Sequence, residues 1–231
     1  MNILKTPSGN IQIKKKILYL GIKQIDKKIA KVNLLDFKKM ADNHKLNFYL
    51  YKGTLLGAIR DNDFIEHDED IDLMIMEEEK EKFFNLLYHL QKIGFDVVRY
   101  ERRGIISIMR NNEYIDFYIF KKYEDKIRAC GNLFIPERFL LETTHIRFQS
   151  AQFRVPKDYK LFLRLQYGEN WSSPIQYANF NMSFPQKLKT KVYMKSKDLL
   201  PKKIFFKLLT LNAKRRKILF DQKVKSLAIR L

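Results

Sequence analysis

The segment Asp68-Glu69-Asp70-Ile71-Asp72-Leu73-Met74-Ile75-Met76 sets the strictest terms on what this chain can become, because an apolar run fit for a buried strand starts inside a cluster of acids. Strand side chains alternate between faces, so Asp68, Asp70 and Asp72 would share one face while Ile71, Leu73 and Ile75 share the other. At ~3.3 Å per residue these three carboxylates fall within about 14 Å and repel one another unless a cation sits among them. An acidic surface loop is the alternative, but a solvated loop does not need the apolar sequel. The pattern outlines a metal site at the start of a strand.

The residues just upstream fit the same picture. Tyr49-Leu50-Tyr51 reads as a short strand, Gly53-Thr54 as a turn, and the residues up to Arg60 as a short helix, followed by a polar loop. All-oxygen sites favour hard cations, and Mg²⁺ (or Mn²⁺) held by a few carboxylates completes its shell with phosphate and water. Gly53 permits close backbone approach, Thr54 adds a hydroxyl, and the helix start offers amide groups to phosphate. Arg60 can neutralise a non-bridging oxygen, with a surface salt bridge as its alternative. The combination suits a metal-bound phosphate or diphosphate.

Further along, Ile25 to His44 carries apolar residues at helical spacing, and His44 suits the helix C-terminus as a cation. Glu77-Glu78-Glu79 opens another helix, with Phe83, Leu86, Leu87, Leu90 and Ile93 on one face and Gly94 at its end. Strands follow at 95–101, 105–110 and 113–120. Such an order predicts an α+β fold, a mixed sheet flanked by helices. In Tyr114-Ile115-Asp116-Phe117-Tyr118-Ile119-Phe120 one carboxylate stands in a run apolar on both sides, which predicts a strand covered on both faces. Burying an unpaired carboxylate costs roughly several kcal/mol, so Asp116 needs a cation or several hydrogen bonds. It is the candidate third metal ligand beside Asp70 and Asp72, against the alternative of a salt-bridged or capping residue.

The run Gly-Thr-Leu-Leu-Gly-Ala-Ile-Arg (53 to 60), Phe64-Ile65, and Asp68-Glu69-Asp70-Ile71-Asp72 resemble the signature of the LicD family, nucleotidyltransferase-fold enzymes that include phosphocholine transferases and fukutin-type ribitol-phosphate transferases. A second block, Val155-Pro156, a short helix, then Tyr167-Gly168-Glu169-Asn170-Trp171 and Pro174, is similar to the same family in the right order. Taken alone, that block would read as a helix stop and a core anchor. Members commonly place Pro-Trp or Pro-His before the acids, whereas Glu66-His67 stands here, so the loop lacks proline's restraint. The resemblance implies a nucleotidyltransferase-like sheet with a third acid from a neighbouring strand. It also implies transfer of a phospho-alcohol, phosphocholine first among them, from a CDP-activated donor such as CDP-choline or CDP-ribitol. The implied acceptor is a hydroxyl of a cell-surface glycan: lipopolysaccharide, teichoic acid or capsule. In that reading Asp70, Asp72 and Asp116 hold the ion, Gly53, Thr54 and Arg60 meet phosphate, Asp68 is a candidate base, and Tyr167, Gly168 and Trp171 form a structural or substrate-pocket motif. Two other classes stay open: a nucleotidyltransferase that attaches NMP to a sugar, RNA or protein, and a non-catalytic basic binding protein.

The 231 residues suffice for one well-buried domain, 1–185, with an appendage, 186–231. A single cysteine, Cys130, excludes an intramolecular disulfide and reads as a small buried residue. Lys14-Lys15-Lys16 precede an apolar run, Ile17 to Ile22, that is too short for a signal-peptide core, and the expected location is cytoplasmic. The formal net charge is +19, and the appendage, with 15 Lys and Arg against Asp198 and Asp221, contributes +13 of it. There Ile204, Phe205, Leu208, Leu209, Leu211, Ile218 and Leu219 mix with lysines, behind a helix-opening Pro201. A basic amphipathic helix suits the anionic surface of the inner membrane, each basic residue contributing about 1 kcal/mol. Apolar content favours that surface over nucleic acid as the partner, and a solvated helix packed on the core stays open.

Overall fold

The computed structural model describes residues 3–18, 21–174 and 183–231; Tyr19 and Leu20 of the early apolar run lie outside the described residues. Hairpin strands β1 (Ile3–Thr6) and β2 (Gly9–Gln12) precede helix α1 (Lys27–Asn43). Asp26 caps that helix, its carboxylate accepting from the amides of Lys28 and Ile29 at 3.0 and 3.1 Å. Ala30, Leu34, Phe37 and Ala41 form its buried stripe. His44 closes it, with Nδ1 2.8 Å from the Met40 carbonyl oxygen.

Strand β3 (Tyr49–Leu50) leads into helix α2 (Lys52–Arg60), which is followed by β4 (Ile71–Met76), a 3-10 turn at Glu77–Glu79 and helix α3 (Lys80–Lys92). Then come β5 (Asp96–Glu101), β6 (Ile105–Arg110) and the long β7 (Glu113–Glu124). The strands stand in the order β3-β4-β7-β6-β5, with β4 and β7 parallel and the other neighbours antiparallel. The result is the expected α+β arrangement, a mixed sheet flanked by helices. The end of β7 pairs with β8 (Ile127–Cys130), which pairs with β9 (Leu133–Pro136). A short helix α4 (Arg138–Leu141), hairpin β10 (Thr143–Phe148) and β11 (Ala151–Pro156), and helix α5 (Tyr159–Tyr167) complete the body. Cys130 is buried in it, and burial pushes its thiol up to about 12.

Alternation along β7 decides where the core ends and the site begins. Phe117 points toward α1 and α3, its ring centroid 4.9 Å from Phe37 and 4.5 Å from Phe83. Each such buried ring contributes about 1.5–3 kcal/mol. Tyr114, Asp116 and Tyr118 alternate with it and line a cavity instead. The expectation of apolar cover on both faces is therefore corrected. Tyrosines made the second face read as core, but their side chains form the wall of a pocket.

Gly57 of α2 fixes how closely the acidic loop can approach. A Cβ there would lie 2.4 Å from the Asp63 carbonyl oxygen and 3.1 Å from the Ile65 amide nitrogen. Alanine gains ~1 kcal/mol over glycine in a free helix, but a clash with backbone cannot be relieved by a rotamer change, and overpacking costs ~1–3 kcal/mol or more. Gly57→Ala is expected to lose about 2 kcal/mol in urea unfolding; equal or greater stability than the parent would refute this packing.

Two helices follow, α6 (Phe184–Leu199) and α7 (Lys202–Ser226), the latter opened by Pro201 at its N-cap. The appendage set apart by composition is not detached throughout. Ala213, Phe220 and Val224 join the core, Phe220 stacks 5.8 Å from Phe134 of β9, and Lys217 pairs with Glu124 at 2.8 Å.

Candidate active site

The registers of the sheet build a row of polar side chains across four strands. Asp72 on β4 stands opposite Asp116 on β7, Asp116 opposite Ser107 on β6, and Ser107 opposite Arg99 on β5. Directly paired residues project to the same face, so the four form one line on the cavity side. Asp70 joins them from the bend just before β4. Ligand oxygens of Asp70, Asp72 and Asp116 all lie within 4.8 Å of one another, and all three residues are buried. One detail differs from the sequence reading. Strand β4 begins at Ile71, so Asp68 and Asp70 precede it, and Asp68 is outside the trio.

Crowding of acids dominates the electrostatics. Burial, and then the neighbouring Asp72 and Asp116, hold the Asp70 carboxyl well above the usual range. Asp72 is raised by burial and by Asp116, against the pull of Lys52. Burial and Asp72 push Asp68 up to about 7; burial pushes Glu69 to about 7 as well, against a bond from the Gly21 amide and with Asp72 and Asp116 adding to it. Three buried, mutually repelling carboxylate oxygens at this spacing fit a hard divalent cation and suit Mg²⁺ or Mn²⁺.

Part of the charge is already balanced by residues that sequence reasoning missed. Arg99 pairs with Oδ2 of Asp116 and donates from Nε to Ser107 Oγ at 2.7 Å, while Ser107 donates to Asp116 Oδ1 at 2.5 Å. The salt-bridged reading of Asp116 thus holds together with its place in the trio. Lys52, at φ +41°, sits with its ammonium 4.0 Å from the Tyr118 ring centroid and donates to the Tyr118 hydroxyl at 2.7 Å. That hydroxyl also favours the charged form of Asp72, opposing the effect of burial.

The glycine and threonine lie in the first turn of α2, not in a turn before it. Gly53 lines the cavity and is packed so closely on Asp68 that a Cβ would come 2.0 Å from Oδ2. Its amide likewise favours the charged form of the Asp72 carboxyl. Thr54 corrects the phosphate-cradle expectation. It is buried, and its hydroxyl accepts from the Asp72 amide at 2.8 Å, so it ties α2 to β4. Arg60 lines the cavity while its guanidinium grips Asp61 through two bonds of 2.8 and 2.7 Å. Tyr167 and a half-buried Trp171 close the far wall of a cavity of about 570 Å³. Gly168, φ +94°, ends α5 between them.

The acidic loop has other restraints where proline is lacking. The Gly21 amide donates to Glu69 Oε2 at 2.7 Å, Gln24 Nε2 to the Glu66 carbonyl at 2.7 Å, and the Ile25 amide to the Asp68 carbonyl at 2.9 Å. The chain before α1 thus buttresses the loop that presents the acids.

Residues 45–158 match the family model described as LicD/FKTN/FKRP, nucleotidyltransferase domain. The chain is 29% identical over 96 residues to uncharacterized protein RT0683 of Rickettsia typhi, covering 39% of this chain and 30% of that one. It is 33% identical over 64 residues to the lipopolysaccharide cholinephosphotransferase LicD of Haemophilus influenzae, covering 27% of this chain and 24% of that one. The matched segments therefore span less than a third of the length of either relative. Among solved structures, the antibiotic-resistance factor ANT(2'')-Ia in solution aligns with TM-score 0.48 at 11% identity over 87% of this chain and 96% of that one. A likeness that loose adds nothing to what the strands themselves show.

Proposed function

Residues 45–158 of this chain carry a LicD-type nucleotidyltransferase domain, and from that premise we propose that the protein is a phosphotransferase acting on a CDP-activated alcohol, with phosphocholine the group moved. The observation that carries the reading is the closure of Asp70, Asp72 and Asp116 on one point, within 4.8 Å, in a cavity that also holds Lys52 and Arg60. Lipopolysaccharide cholinephosphotransferase, the name of the Haemophilus influenzae relative, supports phosphocholine as the group and a surface glycan as the acceptor. Teichoic acid and capsule are glycans of the same kind.

Asp70, Asp72 and Asp116 would hold Mg²⁺ or Mn²⁺, which when bound supplies positive charge to the diphosphate and the departing nucleotide. The chain's own groups do the rest. Lys52, anchored by Tyr118, neutralises non-bridging oxygens, with Arg60 at the cavity wall beside it. Tyr167 and Trp171 offer aromatic surface to the base or to the choline cation. Asp68, on the cavity wall against Gly53, accepts the proton of the attacking hydroxyl. Incubating the protein with Mg²⁺ and CDP-choline or CDP-ribitol, with and without candidate glycans, tests the reading. CMP release with phosphorus retained on the glycan is expected. Pyrophosphate released from an NTP, without CMP from any CDP donor, would establish nucleotidyl transfer instead.

The last helix supports a place for this reaction at the cytoplasmic face of the inner membrane. Among the described residues no helix is long and apolar enough to cross a membrane. Yet α7 has a second apolar stripe facing out. Ile204, Leu208, Leu211 and Ile218 are about half exposed and recur at helical spacing, roughly half a turn around the helix from the docked Ala213 and Phe220. Lys203, Lys207, Lys214 and Arg215 are exposed around them. Apolar groups rimmed by exposed cations fit an anionic bilayer. The protein is expected to float with vesicles containing phosphatidylglycerol, and Leu208→Asp with Leu211→Asp is expected to weaken this at least tenfold. Equal flotation with neutral phosphatidylcholine vesicles would count against the proposal.

A further inference from the structure

A second concavity, of about 450 Å³, lies between the β8–β9 turn, the end of α5 and the second half of α7. Lys52 and Tyr167 border both this groove and the acid-lined cavity, so one opens beside the other. Their linings differ in charge, the cavity setting five acids beside Lys52, Arg60, Arg99 and Arg103. The cavity wall carries Asp68, Glu69, Asp70, Asp72 and Asp116, whereas the residues lining the groove include no carboxylate.

The groove's cations come from α7. Arg216 and Lys223 are seven residues apart, about two turns, and so lie on one side of the helix. Among the described residues neither forms an ion pair, although Lys217 between them pairs with both Glu124 and Asp221 at 2.8 and 2.9 Å. Among the described residues Lys223 reaches only the carbonyl oxygen of Gln166, at 3.5 Å, and the side-chain Nε2 of Gln166 is buried without a hydrogen-bond partner. Leu219, 58% exposed, and the edge of the buried Phe220 supply an apolar wall for a sugar ring. Two cations and an amide that are unpaired among the described residues, beside an apolar wall, match a phosphorylated sugar.

We infer that this groove takes the acceptor and recognises a phosphate on it, held between Arg216 and Lys223 while a hydroxyl of the same molecule reaches past Lys52 into the acid cavity. The assignment of the ligand as acceptor rests on the transferase reading above. The phosphate has two sources, an ester on a soluble glycan or the linkage of a glycan to lipid. The outward apolar stripe of α7 lies on the helix that supplies both cations, which suits the second.

Titration calorimetry in EDTA with N-acetylglucosamine 1-phosphate, with N-acetylglucosamine, and with a polyprenyl diphosphate-linked sugar in vesicles tests this. The phosphate-bearing sugar is expected to bind, the plain sugar not, and Arg216→Gln with Lys223→Gln to weaken binding at least tenfold. Tighter binding of the lipid-linked form identifies that source, and equal binding the soluble ester. Failure of both phosphate-bearing ligands to bind the unaltered protein, or binding unchanged by the double substitution, overturns the inference. Emission from Trp171, the chain's single tryptophan, reports donor binding in the other cavity. If CDP-choline with Mg²⁺ leaves that emission unmoved while the sugar phosphate still binds, the transferase reading falls and the phosphate groove stands.

Discussion

Asp72→Asn is expected to lower ion-dependent CMP release at least ~10³-fold, equivalent to ~4 kcal/mol of lost transition-state stabilisation, while the chain keeps its fold. Asparagine has nearly the same shape and keeps one acceptor oxygen at that place. What it removes is one negative charge from a buried group of acids that raise one another's pKa. Without the ion, that removal relieves repulsion, so thermal stability in EDTA should stay level or rise. Opposite signs for stability and activity distinguish a ligand from a structural residue. Activity within tenfold of the parent would show that this carboxylate does not hold the ion.

Arg99→Met should act in the other direction, on stability first. Asp116 is 3% exposed, and Arg99 is its one cationic partner among the described residues. Removing one member of such a buried pair leaves an uncompensated charge, at a cost of ~3–5 kcal/mol, or roughly 10 °C in melting temperature for a chain of this size. Arg99→Lys should recover only part of this, because an ammonium cannot bond Asp116 and Ser107 at once from a rigid fork. A divalent ion offers Asp116 another counter-charge. Thermal denaturation of Arg99→Met in EDTA and in Mn²⁺ should therefore show a smaller deficit with the ion present. A deficit below ~1 kcal/mol in EDTA would mean that the pair is dispensable.

The sequence exposed elements and hid registers. Period and capping placed α1, α3 and the three strands after α3 within a residue or two at most boundaries, because those signals are local. Asp116 stood out as a lone carboxylate in an apolar strand. Ser107, inside Ile105-Ile106-Ser107-Ile108, carries the same kind of signal more faintly, since a hydroxyl is a common strand residue. Arg99 gave none, because in Val98-Arg99-Tyr100 it reads as an exposed strand position. Only the pairing of β5 with β6, and of β6 with β7, brings it to Asp116. Thr54 misled for a related reason. A hydroxyl after glycine suggests a phosphate contact, but its direction depends on where β4 docks, and it turns inward to the Asp72 amide. In the appendage, composition recorded the charge but not the docking of Phe220 on Phe134, a contact between residues far apart in the chain.

Binding of Mn²⁺, followed by the loss of its free electron paramagnetic resonance signal, tests the trio most directly, because it needs no knowledge of donor or acceptor. The unaltered protein should show saturable binding below about 1 mM, and Asp72→Asn and Asp116→Asn should each weaken it tenfold or more. Asp61→Asn, which alters a carboxylate outside the trio, should leave it unchanged. Absence of saturable binding up to about 10 mM, or equal affinity in all four proteins, would contradict an ion held by these three acids.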